Sequence, residues 1–379
     1  MPTVQGTYDP HFQPLIDALA RRIDAGDEVG ASLAIVQDGR MVVDVWGGHG
    51  DAERTTPWSE DTVTNVWSCT KTVTALAALI VHDRGLLDVH EKVATYWPEF
   101  AANGKADVEV RHLLAHTSGV PALDQPCAVE DLFDAEAAAA RFAAQAPWWE
   151  PGTASGYHAI NYGHLVGEVV RRVTGQSLKE FVATEIAGPL GADFTIGLPL
   201  DAYDRVSPII APTGVEMPPG VQPGPLAMRT LGGPPLHANV ALTDAWRSAD
   251  IGGVNGHGNA RALATIQSAV SNGGVVGGHK LLGEETIDLI FDEQVSGPDL
   301  VLGAPLRWGI GYALVDPVTQ PYLPEGRLCH WGGWGGSYVI NDLDRRMTAT
   351  YVMNRMSNGL LGSHRGEGYL RTLYGCLDA

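Results

Sequence analysis

Long apolar runs, paired cysteines and basic charge are all scarce in this sequence. Its longest apolar stretch, Thr74 to Val81, falls far short of the roughly 20 residues that a membrane-spanning helix needs. Residues 1–20 lack a basic start followed by an apolar core, so no secretory signal is expected. The four cysteines, Cys69, Cys127, Cys329 and Cys376, have neither metal-ligand spacing nor a disulfide framework. That pattern points to reduced thiols and a cytoplasmic protein. Lys and Arg total 25 against 44 Asp and Glu, a net charge of −19. Such a chain repels phosphate backbones and anionic lipid, so neither nucleic acid nor a membrane surface is an expected partner. Solubility is the plain use of the charge.

Familiar catalytic patterns are missing as well. No Gly-x-Ser-x-Gly elbow occurs, which argues against an α/β-hydrolase. There is no His-Glu-x-x-His helix. His112 and His116 are four apart but run into Thr117-Ser118-Gly119, which favours a turn. Neither a metal nor a cofactor is expected. The run Gly252-Gly253-Val254-Asn255-Gly256 lacks the lysine of a phosphate loop.

What is present suits a soluble globular protein of 379 residues, 45% hydrophobic and 18% charged, long enough for two subdomains. Helical periodicity runs over Pro10 to Ala25 (Phe12, Leu15, Ile16, Leu19, Ile23). Ala31 to Val36 and Met41 to Trp46 are β-branched runs separated by a turn containing Asp38-Gly39, a hairpin signal. Lys71 to Asp83 reads as a buried helix that starts near Ser68 and ends at Gly85. Helical signals dominate from Leu86 to Pro199, including Ala135 to Ala146 and Tyr162 to Thr174. Residues 205–237 are dense in proline and glycine and read as a long irregular loop, either filler or a lid or pocket wall. A helix over Ala260 to Asn272 follows, then strands at Trp308 to Val315, Ser337 to Asn341 and Met347 to Met353, and a last helix over Gly368 to Cys376. Strands at both ends with helices between them predict an α/β (α+β) protein. Its α/β subdomain would take residues 1–85 and 246–379, and an inserted helical subdomain residues 86–245.

Three segments carry chemistry. In Ser68-Cys69-Thr70-Lys71, residues three apart on a helix share a face, which puts Lys71 beside Ser68. A buried lysine loses pKa and can take the serine proton, turning a weak nucleophile into a strong one. The helix start adds N–H groups where an oxyanion would form. Ser-x-x-Lys alone also fits a capping serine with an exposed lysine; the sealed apolar helix behind it favours the catalytic reading. Tyr157, ahead of an apolar helix, is a candidate proton carrier, though a lone tyrosine is equally an ordinary half-buried aromatic. His330-Trp331-Gly332-Gly333-Trp334-Gly335-Gly336-Ser337 would let a backbone pass close to a ligand or form a tight turn. Cys69 lies about 100° from Ser68 on a helical wheel, which favours packing over catalysis.

In this order and spacing the three segments resemble the serine β-lactamase and penicillin-binding-protein superfamily, and within it class C β-lactamases and family VIII carboxylesterases. Leu113-Leu114-Ala115-His116-Thr117-Ser118-Gly119, Pro151-Gly152-Thr153 and Tyr351-Val352-Met353-Asn354-Arg355 extend the resemblance over nearly the whole chain. It implies a β-lactamase-like fold, with an antiparallel sheet flanked by helices. It also implies Ser68 as acylated nucleophile, Lys71 and Tyr157 as its proton-handling partners, and the Ser68 and Trp334 N–H groups as oxyanion hole. His116 and Ser118 belong to a signature that is mainly structural. Two departures shift the expected substrate. Ala159 stands where the class C pattern has asparagine, and Trp331-Gly332-Gly333 replaces a third motif that begins with lysine or histidine. Losing an amide and a cation disfavours carboxylated amides, so small short-chain esters are the expected substrates. Rivals are a class C-like β-lactamase, a D-amino-acid peptidase, and an acyltransferase on the same scaffold. A non-catalytic binding module would be expected to lack one of Ser68, Lys71 and Tyr157.

Overall fold

The computed structural model describes residues 4–217 and 221–378. A nine-stranded sheet takes its strands from both ends of the chain. They are β1 (Val4–Tyr8), β2 (Gly30–Gln37), β3 (Arg40–Gly48), β4 (Val295–Pro298), β5 (Pro305–Trp308), β6 (Ala313–Leu314), β7 (Leu328–Gly332), β8 (Tyr338–Asp342) and β9 (Met347–Met353). The spatial order is β1-β3-β2-β9-β8-β7-β6-β5-β4, and every neighbouring pair is antiparallel. The expected antiparallel architecture is what the chain adopts. The β2–β3 hairpin closes on Gln37 opposite Arg40, with φ of 48° at Asp38 and 72° at Gly39. Two successive positive φ values are the turn geometry that suits strand twist, and they require residues of this kind.

Side chains alternate between two apolar layers, as a two-residue period demands. Leu33, Ile35, Met347, Ala349 and Tyr351 point towards α1 (Gln13–Asp24) and the C-terminal helix His364–Leu377. Ala34, Val36, Val339 and Val352 point towards α2 (Thr70–Asp83) and the helix Ala260–Ser271. Because helices cover both faces, β9 is buried along its whole length and its sequence lacks polar alternation. α2 is buried from Thr70 to Val81, so it is apolar all round rather than along a stripe.

A small second sheet pairs Gly256–Gly258 with both Thr64–Asn65 and Phe194–Ile196. It therefore joins residues from both sides of the expected subdomain division. Two expectations need correction. Trp308 to Val315 is not one strand: β5 ends at Trp308, the chain turns through Gly309-Ile310-Gly311, and β6 begins at Ala313. The 205–237 segment is not wholly irregular, because Pro225–Leu231 form a helix with proline in its first turn, where no N–H is needed. The same segment is laced to the chain after β9, with the Ile210 N–H on Asn354 O and the Glu216 N–H on Asn358 O, each at 2.8 Å.

Candidate active site

Ser68 sits where a strand turns into α2. The Val66 N–H prolongs the small sheet with a 2.9 Å hydrogen bond to Gly256 O. The chain then turns at Trp67, whose φ of 50° is unusual for so bulky a side chain. Trp246 and Trp334 hold the Trp67 ring, at centroid separations of 5.7 and 5.1 Å, and its carbonyl accepts from Thr70 Oγ1 at 2.5 Å. Packing thus over-determines a strained residue directly before the serine, the circumstance in which such strain persists. One 3₁₀ turn, Trp67–Cys69, leads into α2.

One turn further on, Lys71 is 2% exposed. Its Nζ lies 3.0 Å from Ser68 Oγ and 2.8 Å from each of two carbonyl oxygens, those of Ala159 and Gly253. Burial holds the amine well below the ordinary lysine pKa. The geometry fixes where its hydrogens go. Carbonyls only accept, so the two N–H groups of a neutral amine are both taken, and its lone pair is left facing the Ser68 hydroxyl.

Tyr157 is buried on the other side. Its hydroxyl accepts from Trp331 Nε1 at 2.9 Å, its ring stacks on Trp308, and Lys71 Nζ stands 4.8 Å from the ring centroid. Burial pushes the phenol up; the Ser68 hydroxyl and the Trp331 indole pull it part of the way back. The loop around it is tied down twice. Asp299 Oδ1 accepts from the Tyr157 N–H at 3.0 Å and from the Val301 and Leu302 N–H groups at 2.9 Å. His158 donates Nδ1–H to Gly156 O at 2.7 Å, so its Nε2 accepts from Ser118 Oγ at 2.6 Å. His116 Nδ1 accepts from the His158 N–H, and the His116 ring lies 5.0 Å from that of Tyr157. His116 and Ser118 therefore support the Tyr157 loop and do not touch Ser68.

The glycine-rich turn after β7 brings Trp334 to Ser68. Neither the Ser68 nor the Trp334 N–H finds an acceptor among the described residues. Trp331 and Gly332 line a cavity with Ser68 and Tyr157, whereas Gly333 packs behind them against the Val66 carbonyl. Cys69 is fully buried, and burial pushes its thiol up to about 12. The four cysteines are free thiols. Among the described residues no cluster of His, Cys, Asp and Glu could hold a metal ion, and no helix is long and apolar enough to cross a membrane.

Several contributors carry little signal in the sequence. Ala159 and Gly253 act through carbonyl oxygens, which every residue has. Asp299 is 142 positions from the N–H that it anchors. Gly252-Gly253 did offer a signal, though not of a phosphate loop. A Cβ at Gly253 would collide with Ile160 O, and the Gly252 carbonyl accepts from Thr74 Oγ1 at 2.5 Å. Val215, Leu231 and Leu236 of the 205–237 segment wall a second cavity beside Ser68.

Comparison with known proteins identifies the family and the fold. The Beta-lactamase family model matches residues 16–369. The chain is 34% identical over 369 residues to Esterase/beta-lactamase LipL of Mycobacterium tuberculosis, covering 94% of this chain and 84% of that protein. It is similar to a solved family VIII carboxylesterase, with 38% identity, a TM-score of 0.92, and coverage of 98% of this chain and 99% of the other. A penicillin-binding protein homologue from Caulobacter crescentus matches at 34% identity and a TM-score of 0.91, with 98% and 99% coverage. With a family match across most of its length and the Ser68–Lys71 pair at the core of the fold, the chain belongs to the beta-lactamase family.

Proposed function

We propose that this protein is a carboxylesterase that works through an acyl-Ser68 intermediate. The observation that carries the reading is the buried Lys71 amine, held by two carbonyls with its Nζ 3.0 Å from Ser68 Oγ. In the first step the Ser68 proton passes to Lys71 Nζ as Oγ attacks the ester carbonyl carbon. The Ser68 and Trp334 N–H groups receive the oxyanion. As the intermediate collapses, the bond to the alcohol oxygen breaks and Tyr157 protonates that oxygen, itself recharged from Lys71. Water then gives a proton to the same pair and attacks the acyl carbon. Ser68 leaves and recovers its proton from Lys71.

An ester is favoured over a β-lactam by what lines the site. No lysine or arginine lines either cavity beside Ser68 among the described residues, and burial pulls the His330 imidazole down to about 4, leaving it neutral. A lactam carboxylate would be desolvated there without a partner. Ala159 offers no side-chain amide for an acylamino group.

Initial rates on p-nitrophenyl butyrate and on nitrocefin, wild type beside Ser68→Ala, test the reading. Ester turnover that exceeds nitrocefin turnover and vanishes in the variant is expected. Retained ester hydrolysis in Ser68→Ala would remove Ser68 from its role, and efficient nitrocefin cleavage would replace the esterase with a β-lactamase.

A further inference from the structure

Two cavities open on Ser68 and share Trp334 and Leu360, but their remaining walls differ in chemistry. One, of about 210 Å³, is enclosed by Trp67, Ile160, Leu231, Leu236 and Val254. The other, of about 110 Å³, sets Gln320, Tyr322 and Ser363 among leucines, beside Tyr157 and Trp331.

The chemistry decides which half of an ester belongs in which cavity. The alcohol oxygen must take its proton from Tyr157 as it leaves, so the alcohol lies in the cavity that contains Tyr157. The acyl chain then lies in the cavity that does not. We propose that the substrate is an ester of a medium-length apolar acid with a hydroxylated alcohol. Its acyl chain would lie against Ile160, Leu236 and Val254, and the alcohol hydroxyls against Gln320, Tyr322 and Ser363. The assignment rests on the esterase reading above and deepens it.

Volume sets the length of the acid. At about 30 Å³ per water-sized group, the larger cavity takes about seven carbons beyond the carbonyl, longer than the short chains that the sequence suggests. Each methylene buried there should raise kcat/KM by about fourfold until the cavity is full. On the other side, the polar side chains of Gln320, Tyr322 and Ser363 line the cavity and favour a ligand that brings hydroxyls to them. An alkyl alcohol would displace water from those groups and pair with none of them.

Two substrate series on the purified full chain separate the halves. In the first, p-nitrophenyl esters from acetate to dodecanoate fix the alcohol; kcat/KM should climb to about octanoate and then fall. In the second, glycerol monobutyrate is set against ethyl butyrate, and the glycerol ester should lead by about tenfold or more. Leu236→Trp should lower the octanoate-to-acetate ratio by about tenfold and spare the glycerol-to-ethyl ratio; Gln320→Leu should do the reverse. Circular dichroism and an active-site burst confirm folded enzyme, and the wild-type series need no variant at all. An acetate optimum with no glycerol preference would overturn the assignment, as would Leu236→Trp altering the alcohol ratio alone. If the wild type cleaves nitrocefin but none of these esters, the esterase reading itself falls. That outcome is distinct from ester turnover with the wrong selectivity.

Discussion

Replacing Lys71 with methionine isolates the proposed base. Methionine keeps most of the side-chain length and removes the amine that stands 3.0 Å from Ser68 Oγ. The phenol of Tyr157, pushed up by burial, is protonated at neutral pH and so is no substitute acceptor. A positioned general base is worth about 10²–10⁴ in rate, so kcat/KM on p-nitrophenyl butyrate should fall by about 10³ in Lys71→Met. Stability should also fall, because the Ala159 and Gly253 carbonyls each lose their donor at about 1–3 kcal/mol, offset in part by replacing a desolvated amine with an apolar group. Active-site titration therefore normalises the rate to folded enzyme. The sign of the wild-type pH profile follows from the same amine. Its pKa lies well below the ordinary lysine value, and catalysis needs it neutral. Accordingly kcat/KM should rise with pH as the amine loses its proton and reach its plateau well below the pH at which an ordinary lysine would be neutral. Rates between about pH 5 and pH 10, with burst titration of active enzyme, measure both effects. A Lys71→Met variant within tenfold of wild type, or a wild-type rate that declines from neutral to moderately alkaline pH, would refute Lys71 as the base.

Two further substitutions probe the supports around this amine. Trp331→Phe keeps an aromatic ring but removes the N–H that Tyr157 accepts at 2.9 Å; kcat should fall by about tenfold, and by more if the oxygen is charged at the transition state. Stopped-flow acylation rates that match wild type would show that the indole only packs. Gly253→Ala places a methyl against Ile160 O and displaces the carbonyl that holds Lys71; a loss of about 1–3 kcal/mol in urea denaturation should accompany a lower kcat. Unchanged stability and rate would mean that the backbone there yields freely.

Elements whose burial is uniform were the easiest to read from the sequence. α2 announces itself because every residue from Thr70 to Val81 is buried, and its apolar run from Ala75 to Val81 leads towards the Arg84-Gly85 stop. The β2–β3 hairpin was equally legible, since Asp38-Gly39 supplies both positive φ values that the turn needs. Punctuation misled in two places. Between Trp308 and Val315 the apolar residues run on, and only the glycines at 309 and 311 mark the reversal between β5 and β6. Around Pro225 the reverse holds, where a proline that reads as a breaker starts a seven-residue helix. Whether residues 205–237 form a pocket wall or filler could not be settled from composition. The contact of Val215, Leu231 and Leu236 with the cavity beside Ser68 is a tertiary fact.

The candidate site shows why sequence motifs locate such chemistry yet underdetermine substrate. Ser68 and Lys71 were legible because a helix places residues three apart together. The groups that orient the Lys71 amine are backbone carbonyls of residues 88 and 182 positions away, and no side-chain pattern encodes them. That division has a consequence for specificity. At position 159 the backbone carbonyl holds Lys71, while the side chain faces the apolar cavity with Ile160. An exchange of asparagine for alanine there leaves the acceptor of the Lys71 hydrogen in place and changes only what the substrate meets. Trp331 works likewise in reverse: its indole replaces a cation at the cavity wall, yet still offers a hydrogen to Tyr157. The machinery for making and breaking an acyl-serine is thus separable from the surfaces that choose the acyl group. That is the physical ground for reading an esterase from a beta-lactamase family scaffold.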